Sequence, residues 1–158
     1  MIRFLLILCF LCICNGVHAQ SSLPRFASLR SNEINLRTGP GERFPIEWVY
    51  RRVSLPVEII DEFEHWRKIR DIDDTTGWVH KKMLSGKRTA LTLKNKQHTL
   101  YKKETIASRP LAYIDGQIIV TLEKCRPESA FCKVSFQKIS GYLIKDDLWG
   151  LYEEETID

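Results

Sequence analysis

The sequence predicts an all-β protein built from two small, partly open β-barrels that follow a cleaved export signal. Three observations lead there. Apolar residues fall in short β-branched runs between turn residues, with little sustained 3.6-residue periodicity. One block of sequence recurs at a nearly constant offset. The first nineteen residues have the composition of a segment that is removed.

That segment opens with Met1-Ile2-Arg3, continues as an apolar run from Phe4 to Cys14, and ends in Asn15-Gly16-Val17-His18-Ala19. A positive start, an apolar stretch of about 7–15 residues and a small-x-small site define a secretory signal. Val17 and Ala19 fit the −3 and −1 positions, which puts cleavage between Ala19 and Gln20. A membrane anchor would need about 20 apolar residues, more than this run supplies. Lipid attachment would need a small residue before the acceptor cysteine, whereas Cys9, Cys12 and Cys14 follow Leu8, Leu11 and Ile13. The expected destination is periplasmic or extracellular, with no stable membrane span after cleavage.

Cleavage reduces five cysteines to two, Cys125 and Cys132. In an exported small domain an even count favours a disulfide, and Arg126-Pro127-Glu128-Ser129 between them reads as a turn. The alternatives are two free buried thiols or half of a metal site. His65, His80 and His98 are scattered and show no ligand spacing, so neither a metal nor a cofactor is expected.

The whole chain carries a formal charge of +4, and loss of Arg3 leaves the mature part at +3. That is too mild to imply nucleic-acid binding. The distribution is more informative. Eight Lys or Arg and no acid lie between His80 and Lys103, while four of the last six residues are acidic. Such a middle and tail suit an anionic polymer, a lipid headgroup surface or each other, or are simply solvated.

The repeat sets the domain organisation. Trp66-Arg67-Lys68-Ile69 is echoed by Phe131-Cys132-Lys133-Val134, Gly77-Trp78-Val79 by Gly141-Tyr142-Leu143, Leu84 by Leu148 and Leu36 by Leu100. Each pair is 64 or 65 residues apart. The expected layout is a signal over 1–19, a first domain over 26–86, a linker over 87–97, a second domain over 98–152 and an acidic tail over 153–158. In the first copy, Trp66–Arg70 and Thr76–His80 flank the acidic turn Asp71-Ile72-Asp73-Asp74-Thr75, which predicts a hairpin. Leu55–Ile60 and Gln117–Leu122 read as further strands.

Asn35-Leu36-Arg37-Thr38-Gly39-Pro40-Gly41, Trp66-Arg67-Lys68-Ile69 and Gly77-Trp78-Val79-His80 together resemble the bacterial SH3 domain family. The second copy resembles it less. Leu100-Tyr101-Lys102-Lys103 stands where the Gly-Pro loop would be, while Cys125 through Gly150 fits again. The resemblance implies SH3-like barrels and a role in binding cell-wall polymers or peptide stems, without catalysis. An adaptor that binds an envelope or host polypeptide is the alternative.

Period-two alternation puts Trp66 and Lys68 on one face of their strand and core Ile69 on the other. A hairpin centred near Asp73 would set Lys68 opposite Trp78 and Trp66 opposite His80. These four are the candidate ligand contacts, since aromatic rings flanked by cations suit sugars, peptides and carboxylates. Burial of the tryptophans between the two copies is the competing role. Arg37 and Arg43 border the Gly-Pro loop and are secondary candidates, with a structural hydrogen-bond role as the alternative. The first copy, which keeps that loop and both tryptophans, is the expected binder, and the second its braced partner.

Catalytic patterns are missing from the sequence. There is no HExxH, no Gly-x-Ser-x-Gly and no phosphate loop. Glu62 with Glu64, or Asp73 with Asp74, would need a cleft to act as a glycosidase pair. An enzyme is not expected.

Overall fold

The computed structural model describes residues 22–158, and the expected cleavage site after Ala19 lies outside them. The first sheet contains β1 (Arg25–Leu29), β2 (Ile34–Arg37), β3 (Ile46–Tyr50), β4 (Pro56–Phe63), β5 (Trp66–Arg70), β6 (Thr76–His80) and β7 (Leu84–Ser85). The second contains β8 (Thr89–Thr92), β9 (His98–Tyr101), β10 (Pro110–Ile114), β11 (Ile119–Cys125), β12 (Phe131–Phe136), β13 (Ile139–Ile144) and β14 (Leu148–Trp149). Their spatial orders are β3-β2-β6-β5-β4-β1-β7 and β10-β9-β13-β12-β11-β8-β14. Strand for strand the two orders are the same. Neither sheet closes, so each barrel is open between its first and last strand.

Each sheet curls around its own core. Leu29, Leu36, Val57, Ile69 and Val79 fill the first, and Leu100, Val120, Val134, Leu143 and Leu148 the second. Each such side chain contributes about 1.5–3 kcal/mol when fully removed from water. The repeated glycines explain themselves at this level. A Cβ on Gly77 would lie 2.6 Å from Leu36 Cγ, and one on Gly141 would lie 2.8 Å from Leu100 Cγ. The echoed Leu–Gly pairs are therefore one packing contact used twice.

The hairpin expected around Asp73 forms between β5 and β6. Asp71 makes the turn by accepting from the backbone N–H of Asp73 (3.0 Å) and Thr75 (2.9 Å). Its other oxygen accepts from the Tyr50 hydroxyl at 2.8 Å. Burial, then the Asp71 contact, pushes the Tyr50 phenol far above its ordinary value. In the second copy a disulfide joins Cys125 to Cys132, which face each other across β11 and β12 with Cα atoms 4.5 Å apart.

Two segments differ from expectation. Residues 87–97, expected as a linker, contain β8, which pairs with β11 and β14 and is buried along its length. Its threonines survive burial because their hydroxyls are bonded: Thr89 donates to Ser54 O at 2.9 Å and Thr92 to Asp115 O at 2.8 Å. The second copy therefore begins at β8, the counterpart of β1. The acidic tail is also anchored. Ile157 is buried and exchanges two 2.9 Å backbone bonds with Cys125, while Glu155 pairs with Arg88.

The copies dock directly. Phe26 of β1 meets Trp149 edge-on at 5.2 Å and Tyr152 at 4.8 Å, with the Arg88 guanidinium 6.0 Å above its ring. The Tyr152 hydroxyl donates to buried Glu58 at 2.7 Å, and Arg70 Nε donates to the same carboxylate at 2.9 Å. Burial, then the Glu58 contact, pushes the Tyr152 phenol up. Gly150 adopts φ +124°, and a Cβ there would meet Thr89 O at 2.7 Å and Pro56 Cβ at 3.1 Å. Among the described residues no helix is long and apolar enough to cross a membrane.

Candidate ligand-binding surface

The hairpin register sets Trp66 opposite His80 and Lys68 opposite Trp78. Trp78 in turn faces Arg37 of β2, and Lys68 faces Asp61 of β4. A row Arg37, Trp78, Lys68, Asp61 thus crosses four neighbouring strands on one level. Ile69 and Val79 alternate with these residues and fill the core, which turns the row outward. At the end of the hairpin, Trp66 and His80 stack edge-on with ring centroids 5.5 Å apart.

A groove of about 170 Å³ opens beside that stack, lined by Glu33, Asn35, Arg37, Glu42, Trp66 and His80, with Met83 at its edge. His80 is fixed there because its Nδ1 accepts from Lys82 N at 3.2 Å. Partial burial, then nearby Lys82, His65 and Lys81, lowers its pKa below 6.5. The shift favours the neutral ring, which offers the groove an apolar face.

Of the expected contacts, Trp66, His80 and Arg37 line the groove, while Lys68 and Trp78 continue the same face beyond it. Arg37 is largely committed to structure. Its Nη1 donates to Glu42 O (3.0 Å) and Phe44 O (2.8 Å), clamping the Gly-Pro loop. Arg43 lies over the Phe44 ring at 5.1 Å and does not line the groove. Gly39 lets that loop fold, since a Cβ would sit 2.4 Å from the Phe44 ring. Sequence reading missed Glu33, Asn35, Glu42 and Met83. Asn35 was within reach, two residues before Arg37 on the same face. Glu42 is brought in by loop conformation, which leaves no periodic signal.

The second copy carries an equivalent outward row. Tyr101, Tyr142, Lys133 and Lys124 follow one another across β9, β13, β12 and β11. Phe131 replaces Trp66 and stacks edge-on against Tyr101 at 6.0 Å.

A second histidine lies beside a carboxylate away from this face. His98 Nδ1 lies 3.1 Å from Asp147, but its side chain is wholly buried. Burial pushes the Asp147 carboxyl up, yet the adjacent Lys96 and His98 outweigh it and hold the carboxyl below its ordinary value. The pair is a structural brace. Among the described residues no cluster of three His, Cys, Asp or Glu could hold a metal ion.

Comparison with known proteins agrees with this architecture in the first copy. No curated protein matches the chain. A structure of NlpC2 from Trichomonas vaginalis is 15% identical with a TM-score of 0.36, over 80% of this chain and 48% of that one. NlpC1 from the same organism is 13% identical with a TM-score of 0.37, over 82% and 47%. The chain thus spans about half the length of either. Residues 30–86, the greater part of the first domain, match the bacterial SH3 domain family.

Proposed function

We propose that the chain is an exported, non-catalytic binding module whose first domain recognises peptidoglycan or its peptide stems. The observation that carries this reading is the groove at the Trp66–His80 stack, continued outward by Trp78 and Lys68. An edge-on aromatic pair supplies apolar contact at little conformational cost, and Glu33 and Glu42 give hydrogen-bond acceptors for amide or ammonium groups. Lys68 offers a cation to a carboxylate further along. The match of residues 30–86 to the bacterial SH3 domain family and a disulfide, which forms in oxidising compartments, support export and a wall-associated role.

The mature protein should co-sediment with purified sacculi, and Trp66→Ala should weaken retention about tenfold, the scale of a lost aromatic anchor. Retention no greater than that of an unrelated protein of equal charge would overturn the proposal. One feature favours the adaptor reading. Edge strand β3 exposes Ile46 and Trp48 beside unpaired backbone groups, a surface suited to strand addition. In-cell crosslinking from Trp48 that returned one protein partner would support the adaptor in place of the wall ligand.

A further inference from the structure

The outward rows of the two domains share their geometry and differ in charge. In the first, Asp61 of β4 faces Lys68 of β5 directly after a register shift at Ile59/Asp61. In the second, the same shift at Leu122/Lys124 brings Lys124 of β11 directly opposite Lys133 of β12. Like charges at directly opposed positions destabilise an antiparallel pair. The two lysines cannot slip apart, because the next rung is the Cys125–Cys132 disulfide. The fold therefore holds two lysines on one rung.

The surroundings only partly compensate. Lys133 Nζ lies 3.3 Å from Glu123, and Lys124 Nζ lies 4.0 Å from Asp158, which is itself largely exposed. Arg126 has no acid within 4.0 Å among the described residues, and Glu104 is bonded to the Ser129 hydroxyl. Together Lys124, Arg126 and Lys133 border a hollow of about 50 Å³ with Glu104, Phe131 and Tyr142. Three cations against one lining acid make it a basic hollow with two aromatic walls. The first-domain groove, with Glu33 and Glu42 in its lining, has the opposite bias.

We infer that this hollow is a second binding site, which takes the carboxylate of an acidic peptide segment. The carboxylate sits between Lys124 and Lys133 and relieves their repulsion, Arg126 supplies a planar two-pronged donor, and Phe131 and Tyr142 pack against the methylene groups that carry it. The size suits one acidic side chain, and the charge excludes a basic one. The two domains would then read different parts of one ligand, or of neighbouring ligands.

The test is an amide NMR titration of the disulfide-bonded mature chain with end-blocked triglutamate, and with triglutamine as the neutral control. Triglutamate should give saturable shifts at Lys124, Arg126, Phe131, Lys133 and Tyr142, and triglutamine none. Lys124→Glu should weaken triglutamate binding at least tenfold. It should also raise Tm by about 1–4 °C, because it replaces a repulsive rung with an attractive one. Arg126→Gln should weaken binding about fivefold with Tm unchanged. Trp66→Ala should leave triglutamate binding intact, which separates this site from the first-domain groove. Equal shifts with triglutamine, or undiminished binding by Lys124→Glu, would overturn the inference.

Discussion

Gly77→Ala should destabilise the first domain by about 3 kcal/mol, and Gly141→Ala should do the same to the second. The added methyl at position 77 would press on Leu36 Cγ and lie 2.9 Å from Arg37 O. At position 141 it would lie 2.7 Å from Tyr101 O. A leucine side chain can shift, but a backbone carbonyl in a paired strand cannot. Relief requires β2 to separate from β6, or β9 from β13, at the rung that starts the outward row. Alanine's better intrinsic propensity offsets at most about 1 kcal/mol, so the clash dominates. Urea unfolding at equilibrium measures the loss. A change below about 1 kcal/mol in both variants would mean that these strands do not approach so closely.

Phe26→Ala should cost about 2–3 kcal/mol and split one unfolding transition into two. A fully buried phenylalanine costs about 3–5 kcal/mol on truncation, and Phe26 is half-buried, so the lower figure applies. Its ring is the common contact of Trp149, Tyr152 and the Arg88 guanidinium, all from the second copy or its approach. Without it, the copies are held mainly by polar contacts, from Tyr152 to Glu58, Thr89 to Ser54 O, Arg52 to Gln117 O and Lys94 to Asp73. Each half then unfolds on its own core. Differential scanning calorimetry would show the split, and a single transition with unchanged Tm would assign docking to other contacts. The interface fixes the relative directions of the two outward rows. A ligand that engages both gains from effective concentration only while that geometry holds.

Much of this arrangement is legible in the sequence, for identifiable reasons. The hairpin register follows from period-two alternation about a turn whose aspartates announce it, so Lys68 opposite Trp78 and Trp66 opposite His80 could be read directly. The repeat is legible because Leu36, Gly77 and Leu84 hold the same packing contacts as Leu100, Gly141 and Leu148. The Cys125–Cys132 pairing follows from count and spacing. Strand β8 was hidden because Thr89-Ala90-Leu91-Thr92 is short, small and half polar. Its burial depends on hydroxyl partners at Ser54 and Asp115 that lie far off in the chain. The anchoring of Ile157 was hidden by the acids around it. For Arg37 both a ligand contact and a structural hydrogen-bond role were open in the sequence, and its bonds to the Glu42 and Phe44 carbonyls fit the structural one; which carbonyls it clamps depends on the loop fold. The Lys124–Lys133 rung was illegible for a different reason. A register shift within β11 creates it, and alternation patterns carry no record of such a shift.

The Trp66–His80 groove and its outward row are proposed to bind a wall-derived peptide. The most direct measurement is a titration of the mature chain with soluble peptide fragments released from purified sacculi, followed through the indole N–H signals of the tryptophans and the ring signals of His80. Saturable shifts at Trp66, Trp78 and His80, with the buried core unaffected, are the predicted result. Shifts that are absent, or confined to residues away from that face, would contradict it.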